Sequence, residues 1–259
     1  MIPLRIGGLQ DLDFYSKVLE QAGDAFECLV IRTFGLGLES RQYRLYNMDS
    51  ADGELLRRLL TFRTSAAPAR KWSIDTLFLQ SQKLKRADTQ LHRLIDLGKL
   101  KSLSLWDCTH MDVLLRCLIE ASATDTPRLE LLDISVCHAG PAPRLLEDLL
   151  RTFGTLQTLI YYSVGQTVED TVFDIRCLDR HKSTLTNLYL GCGSNENSEV
   201  PIRLLSEDDL TWLCNSCQSL RQLAIPMPSI QVYSVAADWD KTMVSVQTQW
   251  SRSTSLTAR

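Results

Sequence analysis

The sequence has no long apolar run. No stretch of about 18 apolar residues occurs, so no membrane-spanning helix is predicted and no membrane partner is expected. Met1 to Gln10 carries one arginine and two glycines but lacks the apolar core of a secretory signal. A basic surplus is missing too. The net charge is −3 over 259 residues, which argues against a nucleic-acid partner. Catalytic signatures are absent: there is no nucleophile elbow, phosphate loop, dinucleotide fingerprint or His-Glu-x-x-His stretch. Gly191-Cys192-Gly193 lacks the rest of any phosphate motif. The chain is therefore expected to be neither an enzyme nor the holder of a cofactor.

A disulfide framework is excluded on the same footing. Eight cysteines in an unexported chain of this size read as reduced thiols. The expected location is cytoplasmic or nuclear. With 44% hydrophobic residues, the chain can bury a real core in one domain or one elongated array.

What is present is a repeated phrase, Leu-x-x-Leu-x-Leu, often with a cysteine three residues further on. Its clean copies are Leu100, Leu103, Leu105 and Cys108; Leu129, Leu132, Ile134 and Cys137; Leu156, Leu159, Tyr161 and Val164; Leu185, Leu188 and Leu190; and Leu220, Leu223 and Ile225. The first leucines fall at 100, 129, 156, 185 and 220, giving steps of 29, 27, 29 and 35 residues. Leu-x-Leu alternates as a strand does, so both leucines face one side. So short a strand cannot bury that side alone; it needs the next copy beside it and a helix behind. Two fainter copies lie at Ile74, Leu77 and Leu79 and at Phe26, Leu29 and Ile31, making seven strand slots. Helices are expected around residues 9–22, 52–60, 84–97, 111–121, 143–150, 172–178 and 206–214. The predicted fold class is α/β: a leucine-rich-repeat solenoid with a curved parallel β-sheet on the concave face and helices on the convex face. Residues 1–73 read as irregular N-terminal repeats or a cap, 74–228 as the repeats, and 229–259 as a C-terminal cap and a disordered tail. In that cap, Tyr233, Val235, Trp239 and Met243 are expected to cover the last repeat.

Residues between the repeat leucines are predicted to point to the concave face: Phe78, Gln80, Ser104, Trp106, Asp107, Asp133, Ser135, Ile160, Tyr162 and Tyr189. Aromatic side chains there suit a protein partner, because Trp and Tyr dominate interface hot spots. The competing reading is that a loop or the tail covers them. Cys108 and His110, with Cys137 and His138, stand near equivalent points of adjacent repeats, and Cys214 with Cys217 forms a lone Cys-x-x-Cys. A zinc site needs four ligands in matched positions. The favoured reading of both groups is cysteines packed in the core, with no metal.

Cys217, Leu220 and Leu223, with Cys108 and Cys137 closing their strands, resemble the cysteine-containing type of leucine-rich repeat. The uneven spacing looks most like fungal F-box and leucine-rich-repeat proteins. In that family the repeats hold a substrate for ubiquitin transfer and an N-terminal F-box docks the ligase adaptor. The resemblance covers residues 74–228. It implies protein binding, with substrate recognition for an SCF-type ubiquitin ligase. No F-box start is visible, since Ile2-Pro3-Leu4-Arg5 is not Leu-Pro-x-Glu, so an adaptor partner is not implied by this chain's own residues. The alternative is a free-standing scaffold with no ligase role.

Overall fold

The computed structural model describes residues 4–6, 27–32, 71–82, 84, 95–123, 126–136, 143–164, 173–193 and 205–225. These residues form one open α/β sheet with eight strands, all parallel and in chain order. The strands are β1 (Leu4–Ile6), β2 (Cys28–Arg32), β3 (Thr76–Gln80), β4 (Ser102–Trp106), β5 (Leu131–Val136), β6 (Thr158–Val164), β7 (Asn187–Gly193) and β8 (Gln222–Ala224). The eighth, Leu4–Ile6, is one more than the repeat phrase marks. It is three residues long, and its Leu4-x-Ile6 pair has no leading leucine three residues before it. Its Leu4, Arg5 and Ile6 pair with Leu29, Val30 and Ile31 of β2.

The register explains the phrase. Leu29, Leu77, Leu103, Leu132, Leu159, Leu188 and Leu223 are successive partners across the sheet. Ile31, Leu79, Leu105, Ile134, Tyr161 and Leu190 form a second such row. Both rows enter one hydrophobic cluster, joined by the leading leucines Leu100, Leu129, Leu156, Leu185 and Leu220. A side-chain period of two sends every second residue into that cluster.

Three α-helices close the cluster from one side: α1 (Met111–Ser122), α2 (Pro143–Leu150) and α3 (Glu207–Ser216). They contribute Met111, Leu114, Leu115, Leu118, Leu146, Leu149, Leu150 and Leu213. Pro143 opens α2, where its fixed φ costs nothing. Ser206 caps α3 by accepting the Asp209 N–H, while the Asp209 carboxylate accepts the Ser206 N–H, a reciprocal capping box.

Two connections differ from expectation. In the segment expected as a helix over 172–178, the described residues from 173 make no α-helix; Ile175–His181 is a 3₁₀ segment. It is held by Asp174, whose carboxylate accepts the Arg176 N–H at 2.9 Å. The end of the segment expected as a helix over 84–97 is also different. Ile95 bridges to Trp72, and Leu97–Lys99 is a short 3₁₀ turn. The expected helices over 9–22 and 52–60, residues 85–94, the pair Cys137 and His138, and the cap and tail from 229 onward lie outside the described residues.

Between strands the backbone repeats itself. The carbonyls of Glu27, Asp75, Lys101, Glu130, Gln157 and Thr186 each accept two consecutive N–H groups from the start of the next strand, as in Lys101 and Ser102 onto Asp75. After β3 and β4 the chain turns through a left-handed residue, Ser81 (φ 55°) and Asp107 (φ 52°). Both N–H groups then bond forward, to the carbonyls of Trp106 and Ser135.

The connections also bury polar groups that pair locally. His181 is fully buried. Its Nδ1 accepts the Leu156 N–H at 3.2 Å, and its Nε2 lies 2.9 Å from the Leu150 carbonyl. A carbonyl only accepts, so Nε2 carries the proton and the ring is neutral. Burial pushes the imidazole pKa below its usual value, against the smaller upward pull of the Leu150 carbonyl.

Candidate protein-binding face

The strand residues outside the cluster form three rows on the opposite face. The first runs Cys28, Thr76, Ser102, Leu131, Thr158, Asn187 and Gln222. The second runs Val30, Phe78, Ser104, Asp133, Ile160, Tyr189 and Ala224. The third runs Gln80, Trp106, Ser135, Tyr162 and Gly191. Every strand residue expected on this face is therefore in the second or third row.

Asp107 is the exception. It follows β4 in a left-handed turn, outside the strand alternation, so it belongs to the rim at the strand ends and not to the face proper. Ser104 and Asp133 stand in the expected row but are covered, each 8% exposed. Trp106 does part of the covering. Its indole N–H donates to Asp133 Oδ2 at 2.9 Å, and its ring meets Phe78 edge to face at 5.1 Å between centroids. The cause is size: short side chains in the middle row lie beneath a large ring from the next row.

Among the described residues, Trp106 and Tyr162 are the large apolar side chains that stay exposed, at 39% and 40%. In a folded chain such groups cluster where something else is to be contacted. The Tyr162 ring lies over Gly191. A Cβ at 191 would stand 2.6 Å from Tyr162 Cδ2, closer than atoms allow. Tyr189 donates its hydroxyl proton to Gln222 Oε1, and Asn187 Nδ2 donates to Thr158 Oγ1 at 2.9 Å. The repeat template did not single out Gly191, Asn187, Thr158 or Gln222. Strand alternation alone, carried to the ends of β6, β7 and β8, places all four.

Asp133 is the electrostatic feature of this face. Burial pushes its carboxyl pKa up, and the Trp106 hydrogen bond only partly opposes that. It makes no ion pair among the described residues.

The cysteines behave as small apolar groups. Cys108 Sγ points at the Leu79 carbonyl, 3.4 Å away, and burial pushes its thiol up to about 12. His110 is exposed at the start of α1. Cys214 lies in the last turn of α3 and Cys217 just past it. Burial pushes Cys217 up to about 11. Neither thiol sits at a helix N-terminus, where a thiolate is favoured. Among the described residues no group of three or more histidines, cysteines or carboxylates could hold a metal ion. No described helix is long and apolar enough to cross a membrane.

Comparisons with known proteins bring no match: no family model, curated protein or solved structure aligns with the chain.

Proposed function

We propose that this chain is a leucine-rich-repeat solenoid of the cysteine-containing type that works as a protein-binding module. Its concave face is the three-row strand surface, and its contact residues are Phe78, Gln80, Trp106, Tyr162 and Tyr189, with Asp107 on the rim. Support for the repeat assignment comes from the strands following one another in chain order with repeat leucines in register. The observation that carries the binding role is the exposure of Trp106 and Tyr162 in one row, on a face that no described helix covers. A broad surface of this kind suits a polypeptide better than a small substrate, which needs a deep cleft. The resemblance to F-box and leucine-rich-repeat proteins extends the role to recruiting substrates for a ubiquitin ligase; a free-standing scaffold is the alternative.

The test is affinity capture from cells, followed by binding measurements on the partner recovered. Trp106→Ala with Tyr162→Ala should lose that partner while leaving the unfolding temperature almost unchanged. Full binding by the double variant overturns the role of the face. Co-recovery of the ligase adaptor decides for the recruiting role, and partner without adaptor for the scaffold.

A further inference from the structure

Asp133 stands in the middle row of the strand face, outside the hydrophobic cluster, yet it is only 8% exposed. Removing a carboxylate from water is costly, and burial pushes its carboxyl pKa up accordingly. The gain for folding is small. Its one hydrogen bond among the described residues comes from the Trp106 indole N–H, at 2.9 Å. Trp106 is 39% exposed, so without Asp133 that N–H can bond water. Exchanging water for a protein acceptor adds little net stability.

What the bond fixes is the direction of a ring. Phe78, Ser104 and Asp133 are register partners on β3, β4 and β5. Trp106 follows Ser104 by two residues on the middle strand. From there the indole is held on two sides. Its N–H reaches Asp133 on β5, and its ring meets Phe78 on β3 edge to face, 5.1 Å between centroids. The χ2 torsion of tryptophan has two broad wells. A hydrogen bond is directional, so an acceptor on one side of the ring selects one of them. An exposed anchor that is ordered before its partner arrives loses less freedom on binding, and that raises affinity.

We propose that Asp133 is a positioning residue of the binding face: it holds the Trp106 ring in its docking orientation and does not itself touch the partner. The inference rests on the protein-binding reading of the face. It separates Asp133 from the contact residues and gives the buried carboxylate its role.

The experiment uses the full chain labelled with ¹⁵N and follows the Trp106 indole N–H resonance, assigned by its loss in Trp106→Phe. In the parent its heteronuclear Overhauser effect should match that of the strand backbone. In Asp133→Ala it should fall, and the indole proton should exchange faster with water. Affinity is then measured for the partner recovered by capture from cells. Asp133→Ala should weaken it roughly three- to tenfold, the cost of ordering one freed side chain on binding. Asp133→Asn keeps an oxygen acceptor and should restore both the rigid ring and the affinity. Added to Trp106→Ala, Asp133→Ala should bring no further loss. Asp133→Leu, which removes the acceptor and keeps the volume, serves where the alanine variant does not fold. A ring still rigid without the acceptor, unchanged affinity in that variant, no rescue by Asp133→Asn, or a further loss on top of Trp106→Ala overturns the positioning role. With Trp106→Ala itself weakened, each of these leaves the face reading standing. Unchanged binding in Trp106→Ala removes the face reading.

Discussion

Replacing Leu132 with alanine tests how the core is built. Leu132 is fully buried, with Leu103 as its partner on one side and Leu159 on the other. Both neighbours are also fully buried and fixed by strand ladders, so the space left by three lost carbons has little means of closing. Leucine-to-alanine changes in cores cost about 2–5 kcal/mol, more where the site cannot collapse. The upper half of that range, about 3–5 kcal/mol, is expected here. For a chain of this size that lowers the unfolding temperature by about 10 °C. Leu223 fills the same slot at the last strand but is only partly buried. Its alanine variant should cost about 1 kcal/mol. Ser135→Ala, on the other face, should stay within about 0.5 kcal/mol of the parent. Urea titrations followed by far-ultraviolet circular dichroism give all three values. A cost for Leu132→Ala below about 1 kcal/mol, or no larger than for Leu223→Ala, refutes the stacked row.

Acid should unfold the chain through His181. Its folded pKa lies below the ordinary 6.5, so the unfolded state takes up protons first. Stability is then full above about pH 6.5 and falls as pH drops from there toward the folded pKa. A protonated Nδ1 would also face the Leu156 N–H donor to donor. Unfolding temperatures between pH 7.5 and 5 should fall less steeply in His181→Gln than in the parent; equal slopes refute this. Gly191→Ala should cost about 1–3 kcal/mol by pressing a methyl group into the Tyr162 ring. Combined with Tyr162→Ala, most of that cost should vanish in a double-mutant cycle. Additive effects would show that the ring does not rest on Gly191.

Much of the fold is legible because the repeat leucines do two jobs at once. Their alternation names the strand, and their recurrence names the neighbour. That is why Leu77, Leu103, Leu132, Leu159 and Leu188 could be placed in one row from spacing alone. Leu4–Ile6 is not marked by the phrase because its Leu4-x-Ile6 pair has no leading leucine three residues before it. The 3₁₀ segment Ile175–His181 escaped because its apolar spacing suits a helix of either pitch, and the Asp174 cap and buried His181 are tertiary choices. On the face, the template found the row of Trp106 and Tyr162. Spacing does not foretell that the Trp106 indole reaches Asp133, since which ring leans over which neighbour is a matter of packing. Asp107 lies off the face because it is itself the left-handed residue of the turn after β4, which the sequence does not mark.

Under the proposed function the partner meets the strand face around Ser135 and not the helical side. A photo-crosslinking amino acid at Ser135, compared with one at the exposed Arg116 of α1, tests it directly on the partner recovered by affinity capture. A covalent adduct is expected from position 135, lost in Trp106→Ala, and none from position 116. Adducts from position 116 alone would contradict it.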